Sequence, residues 1–444
     1  MSEKTNPDKL SRMGRRRFLS TLSALGVSAT TLEYITQDAL AETVGDLKNE
    51  IPYVARLRHT NHEQVVAGEA PPEYEPKYKT MPRHQWAKIE AVHNAADRLC
   101  KKVNQADPTG RSYVEITERV NGGVSENVLN IVTTKSKSTN EGVSKNSSIN
   151  AEASESAQAK IRKQTPSSIN GKAKVGNRTE EIEDIPITTE VVEQQKLNYY
   201  DYEYDPVPSG AMIDHVTKEE KERYKEGDEE AKYLGSGTIC TPGYVDPSDP
   251  DKPTGTDIPE GTHLVTAAHV IEKDRSVSQP GTDMDSPRKI GNMTWNWKET
   301  IDGNFDAGTI TLDSDISTLY DMAADGTNKY EGYTISGYIT FDEIKSRAET
   351  GREIEVRGST SGILSSKIHS TTKGGRHDRI NAYRIEEKVS PGDSGGPHYD
   401  VRYNYTTGDY EAYIAGHSVS KKRGKTGTLS TAMEEVVNLL NVKI

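Results

Sequence analysis

The stretch Pro391-Gly392-Asp393-Ser394-Gly395-Gly396-Pro397 sets one serine in a glycine-rich turn. Glycines there let the backbone N–H groups of Gly392 and Ser394 aim at one spot, where they can hold negative charge developing on a carbonyl oxygen. The chain after Pro397 alternates through Val401, Tyr403 and Tyr405, turns at Thr407-Gly408-Asp409 and returns through Tyr413-Ile414-Ala415-Gly416. That pattern predicts a β-hairpin directly behind the serine. A Gly-x-Ser-x-Gly pattern alone also arises by chance, so its meaning depends on partners elsewhere.

Two upstream segments supply such partners. His263-Leu264-Val265-Thr266-Ala267-Ala268-His269-Val270-Ile271 ends an apolar strand on His269, behind two alanines small enough for the imidazole to pack closely. Asn304-Phe305-Asp306-Ala307-Gly308-Thr309-Ile310-Thr311-Leu312 offers a carboxylate at the head of an alternating strand, able to hold an imidazole in one tautomer. Asp302, Asp313 and Asp315 compete with Asp306, which is preferred for the small residue after it and the apolar strand beside it.

Working outward, residues 206–444 are short runs of Val, Ile, Thr and Tyr broken by Gly, Asp and Pro, the texture of an all-β unit. A closing helix is predicted from Met433, Val436, Val437, Leu439 and Leu440, with Thr431 as its cap. Ahead of this unit, Trp86, Ile89, Val92, Ala96, Leu99 and Val103 recur at helical spacing, with Cys100 near the stripe. Tyr113–Val120, Asn121-Gly122-Gly123 and Val128–Thr134 read as a hairpin, and Ile185, Ile187, Thr189 and Val191 as a strand. Residues 136–178, rich in Ser, Asn, Lys and Gln, are expected to form a disordered insertion. Residues 42–205 thus read as a small α+β accessory or pro-domain. His59, His62 and Glu63 could be imagined as metal ligands, but no further ligand is fixed by spacing, and they are read as surface groups.

At 444 residues the chain has room for two or three folding units. Tyrosine dominates the aromatics, with 22 Tyr against 3 Phe and 3 Trp, which suits thin β-layers better than a helical bundle. The formal charge of −12 argues against electrostatic capture of nucleic acid as the main activity. Two cysteines, Cys100 and Cys240, allow at most one disulfide and no zinc module.

The amino terminus, with Arg15-Arg16-Arg17 before an apolar stretch from Phe18 to Leu32 and Ala39-Leu40-Ala41, resembles a twin-arginine export signal over residues 1–41. The resemblance implies a secreted or extracytoplasmic protein that meets the twin-arginine export machinery. No window supplies the ~20 apolar residues of a bilayer span, so no stable span is expected after cleavage.

Taken in the order His, Asp, Ser, the segments Thr266-Ala267-Ala268-His269, Asp306-Ala307-Gly308 and Gly392-Asp393-Ser394-Gly395-Gly396-Pro397 resemble the chymotrypsin-like (trypsin-type) serine peptidases. The resemblance covers about 206–444 and implies an all-β double Greek-key barrel, with His269 and Asp306 in the first barrel and Ser394 in the second. It implies a serine endopeptidase acting on protein or peptide substrates, with catalytic His269, Asp306 and Ser394, an oxyanion hole from Gly392 and Ser394 N–H, and no metal or organic cofactor. The alternative is a secreted binding or scaffold protein on an idle peptidase fold. An α/β-hydrolase would put its serine before acid and histidine and start a helix after it; a subtilisin-like order of Asp, His, Ser fails too.

The chain departs from the family in places. Val270 stands where many animal members carry a bridged cysteine, so Cys240 is either free or paired with Cys100. No Ile-Val-Gly-Gly start is present to pair with Asp393, and Arg357, near the place where bacterial members carry an internal arginine, is a candidate for that task. The resemblance puts Lys388 at the base of the specificity pocket and Gly416-His417-Ser418-Val419 on its wall. Lys388 and His417 together would favour an acidic side chain before the scissile bond. A one-residue slip would turn His417 away and set Ser418 in its place, leaving broad or small-residue preference.

Overall fold

The computed structural model describes residues 50–67, 69–106, 112–121, 124–135, 160–161, 163–175, 178–195, 204, 206–214, 236–245, 258–271, 273–279, 288–297, 306–323, 331–374, 381–387, 389, 392–405, 407–422 and 427–444. The export signal at 1–41 and Lys388 lie outside the described residues.

The chain opens with β1 (Glu50–His59), α1 (His62–Val66), β2 (Tyr74–Pro82), α2 (Arg83–Ala106), β3 (Ser112–Asn121), β4 (Val124–Lys135), β5 (Ser168–Val175) and β6 (Arg178–Gln195). Next come β7 (Val207–Ser209), β8 (Met212–Asp214), β9 (Ser236–Thr238), β10 (Thr241–Val245), β11 (Gly261–Thr266), β12 (Ser276–Gln279), β13 (Arg288–Trp297), β14 (Ala307–Leu312) and β15 (Thr318–Met322). It closes with β16 (Thr334–Ile339), α3 (Phe341–Thr350), β17 (Glu353–Gly358), β18 (Gly362–Gly374), β19 (Asn381–Ile385), β20 (Pro397–Asn404), β21 (Asp409–Lys422), β22 (Thr428–Ala432), α4 (Met433–Leu440) and β23 (Val442–Lys443).

The protein is mostly β, with one closed barrel of 6 strands and one half-barrel sheet. Strands β17, β18, β19, β22, β21 and β20 pair in a ring, with β20 returning to β17. The open sheet runs β23-β10-β11-β14-β13-β12-β8-β9. Alternation along these strands drives apolar side chains inward. Ile354, Val356, Ile368, Tyr383, Ile385 and Tyr413 fill the closed barrel. Leu264, Ile310, Met293, Ile290, Val277 and Ile213 line the open sheet.

The amino-terminal elements do not form a sheet of their own. β1 pairs with β16, β3 with β18 and β6 with β21, so that they extend the barrel strands into a 13-stranded sheet. Val54, Leu57 and Val65 share a core with Cys240, Tyr338, Leu440 and Ile444. Helix α2 lays its apolar stripe on β3, β4 and β6, as its spacing predicts.

Three expectations are corrected. The insertion over 136–178 is not disordered throughout: Ser168–Val175 is β5, antiparallel to β6, and a Cβ on Gly171 would meet the Ala91 carbonyl oxygen at 2.6 Å. The few large apolar groups of the segment suffice, with Ile161 and Ile169 packed into the core beside α2; 136–159, 162 and 176–177 lie outside the described residues. Thr431 does not cap α4, whose N-cap is Ala432, because Thr431 is held in β22 opposite His417. His59 is buried rather than a surface group, its ring against the Ile444 carbonyl, and burial pushes its pKa down to about 4. Of the two alternatives left open for the cysteines, Cys100 and Cys240 are not joined by a disulfide, each being buried in a different core cluster.

Candidate active site

His269 stands three residues past the end of β11, behind the fully buried Ala267 and Ala268. β11 pairs with β14 with Thr266 opposite Gly308, so the register carries Asp306, just before β14, up beside His269. Both come from the open sheet. Ser394 comes from the turn that enters β20 of the closed barrel.

The three side chains meet. Asp306 Oδ1 accepts the His269 backbone N–H at 2.9 Å, and Oδ2 is bonded to His269 Nδ1. His269 Nε2 lies 2.9 Å from Ser394 Oγ. A proton on Nδ1, held by the carboxylate, leaves Nε2 free to accept from the serine hydroxyl. Burial works to raise the Asp306 pKa, but the His269 imidazole and its hydrogen bonds outweigh it and hold the carboxyl below its ordinary range. Among its competitors, Asp313 pairs with Lys289, Asp315 is exposed, and Asp302 lies outside the described residues.

The turn that carries Ser394 is braced by Thr238 on one side and Ser418 on another. Gly392 and Gly395 take φ of 99° and 87°, open to glycine at little cost. A Cβ on Gly395 would sit 2.2 Å from the Thr238 carbonyl oxygen. Thr238 Oγ1 donates to the Gly392 carbonyl at 2.7 Å, and Thr238 N–H donates to that of Ser394 at 2.7 Å. Gly395 N–H donates to the Ser418 carbonyl at 2.7 Å, and Ser418 N–H returns to that of Gly396 at 3.0 Å. Among the described residues no acceptor takes the N–H of Gly392 or Ser394. Thr238 belongs to no sequence motif, and its part in the site was not legible.

Asp393 is fully buried, and its Oδ1 accepts N–H bonds from Thr360 at 2.7 Å and Ser361 at 3.1 Å in the β17–β18 turn. Arg357 does not take the task of pairing with it. Its guanidinium reaches Glu331 at 3.6 Å instead, because strand alternation turns it to the other side of Gly358.

The pocket-wall expectation also changes. His417 is fully buried, its Nε2–H donates to the Asp306 backbone carbonyl at 2.6 Å, and burial lowers its pKa. Alternation turns Ser418 the opposite way, to His398 Nε2 at 2.8 Å. His398, which the sequence reading passed over, also touches Tyr383 Oη at 3.0 Å, and its burial beside His417 lowers its pKa to about 3. Its position directly after the Gly-Gly-Pro run, at the start of a strand with alternating faces, was the available signal.

No group of three or more His, Cys, Asp or Glu among the described residues could hold a metal ion, which includes His59, His62 and Glu63. No described helix is long and apolar enough to cross a membrane. In comparisons with known proteins, no family model matches the chain and no curated protein matches it.

Proposed function

We propose that the protein is an exported serine endopeptidase of the chymotrypsin-like kind, its two β-units the double Greek-key barrels of that fold. The observation that carries this reading is the unbroken line from Asp306 through His269 to Ser394 Oγ at 2.9 Å. Attack of Ser394 Oγ on a peptide carbonyl passes the hydroxyl proton to His269 Nε2, and the tetrahedral oxyanion takes the Gly392 and Ser394 N–H groups. His269 returns the proton to the leaving amine, which leaves an acyl-enzyme on Ser394. Water then attacks with His269 again as base, releasing the acid and the free serine. Asp306 keeps the imidazole in one tautomer and supports its positive charge.

Export rests on Arg15-Arg16-Arg17 and the apolar run to Leu32. The decisive experiment exposes the folded, mature protein to a fluorophosphonate probe and locates the adduct by mass spectrometry. An adduct on Ser394 is expected. A folded sample that takes no label would leave the idle-scaffold alternative standing.

A further inference from the structure

Strand β21 has two edges. One carries β16 and then β22, whose pairing runs from Gly416↔Ala432 to Lys421↔Thr428. The other carries β20 as far as Pro397↔His417, after which Ser418 exchanges both its backbone bonds with the nucleophile turn at Gly395 and Gly396. Farther along, Lys421 and Lys422 lie opposite Gln195 and Gln194 of β6, in antiparallel register. Lys421 already has Thr428 on one edge, so β6 lies on the edge shared with the nucleophile turn. Between the turn and β6 stand only Val419 and Ser420.

An extended peptide adds to a free strand edge through main-chain hydrogen bonds. One that adds antiparallel to β21 here runs from the Lys422 end toward Ser418, and so delivers its carbonyl end toward Ser394. β6 runs in that same direction on that same edge. Its hold is not casual: β6 pairs with β4 from Leu129↔Ile187 to Lys135↔Glu193 and with β5, and β4 is bonded through β3 to β18 of the closed barrel.

We propose that the end of β6, at Gln194 and Gln195, is a cap on the acyl side of the cleft. It occupies the edge that the third and later residues before the scissile bond would pair with, so that recognition through the backbone stops after two. The proposal rests on the peptidase reading of Ser394. It makes the amino-terminal unit a determinant of substrate class, favouring peptides whose recognised part before the cut bond is short.

The test uses the mature full-length protein and phosphonate probes that carry one, two, three or four residues before the phosphorus, with the rate of Ser394 modification as readout. In the wild-type protein the rate should rise from one residue to two and then change by less than about two-fold. In Gln195→Pro, where the ring removes the N–H and disrupts pairing, the third and fourth residues should each add about three-fold or more, the scale of a regained backbone hydrogen bond. A wild-type rate that climbs steeply through the third and fourth residues overturns the cap, and this arm decides even if the variant does not fold. A folded wild-type protein that takes no plain fluorophosphonate label overturns the peptidase reading itself.

Discussion

His269 has a bond on each ring nitrogen, and the two directions define what it can do. With Nδ1 tied to Asp306 and Nε2 facing Ser394 Oγ, it is placed to accept one proton and return it. Ser394→Ala and His269→Ala should each lower kcat/KM by about 10⁴- to 10⁶-fold with the thermal midpoint almost unchanged, since the triad acts as a unit. Asp306→Asn should cost about 10⁴-fold by favouring the wrong tautomer; a larger loss on changing Asp313 or Asp315 would move the third role elsewhere. His398 makes a separate prediction about pH. Its folded pKa of about 3 lies below the ordinary 6.5, so between those values the unfolded chain holds a proton that the native one does not. Stability therefore falls as pH drops through that window. In His398→Gln, the slope of unfolding free energy against pH between about 6 and 4 should be shallower, by up to about 1.4 kcal/mol per pH unit. Asp306 and the other shifted carboxylates are common to both proteins, so the difference between the two slopes reports His398. Identical slopes in urea titrations of the two proteins would show that His398 does not stay neutral.

At the scale of elements, the β17–β18 turn and the turn that carries Ser394 are built against each other. A Cβ on Gly358 would lie 2.1 Å from Asp393 Cγ, and that carboxylate cannot retreat without giving up the Thr360 and Ser361 N–H bonds. Gly358→Ala should cost roughly 1–3 kcal/mol of stability and slow Ser394 labelling, because Asp393 is its neighbour in the turn. Denaturant midpoints and labelling rates measured together check this, and a variant normal in both would mean that the turns move independently. Local pattern foretold much of this architecture: α2 from its stripe, β3 and β4 from Asn121-Gly122-Gly123, the hairpin of β20 and β21 behind the serine, and the three side chains, Asp306, His269 and Ser394, that meet. Helix α3 was overlooked although its signal is present: Thr340 Oγ1 accepts the Glu343 N–H, half of a capping box three residues apart. The pairings of β1 with β16 and β6 with β21 were illegible for a different reason. They join residues far apart in sequence, and periodicity reports which face of a strand is buried, not which strand lies beside it. The same limit hid His417, whose face depends on a register that only pairing settles.

For the whole molecule, the question is whether the amino-terminal unit can be cut away. Its attachment is both apolar and ionic. Tyr53 Oη donates to Glu343 at 2.8 Å, Lys79 bonds the same carboxylate, and Lys345 joins Glu90 at 2.9 Å and lies over the Trp86 ring. On the barrel wall, Arg384 Nε donates to Glu115 at 2.5 Å with both side chains almost fully buried. Removing one partner of a buried ion pair leaves a desolvated charge with nothing to answer it, at a cost of about 3–5 kcal/mol. Several such sites lie along one boundary, and typical domains are stable by only about 5–15 kcal/mol. A fragment of residues 200–444 would also expose the edges of β16 and β18 that β1 and β3 now cover, which invites edge-to-edge aggregation. Expressed alone, this fragment should be insoluble or, if soluble, should take no fluorophosphonate label; supplying residues 42–199 as a separate chain during refolding should restore both solubility and label. That outcome would show that the barrels need the unit to reach their folded form, with β1 and β3 covering edges that cannot stand exposed. A soluble fragment labelled at the full-length rate would instead show that the barrels stand without it, and that β1 and β3 cover edges able to manage on their own.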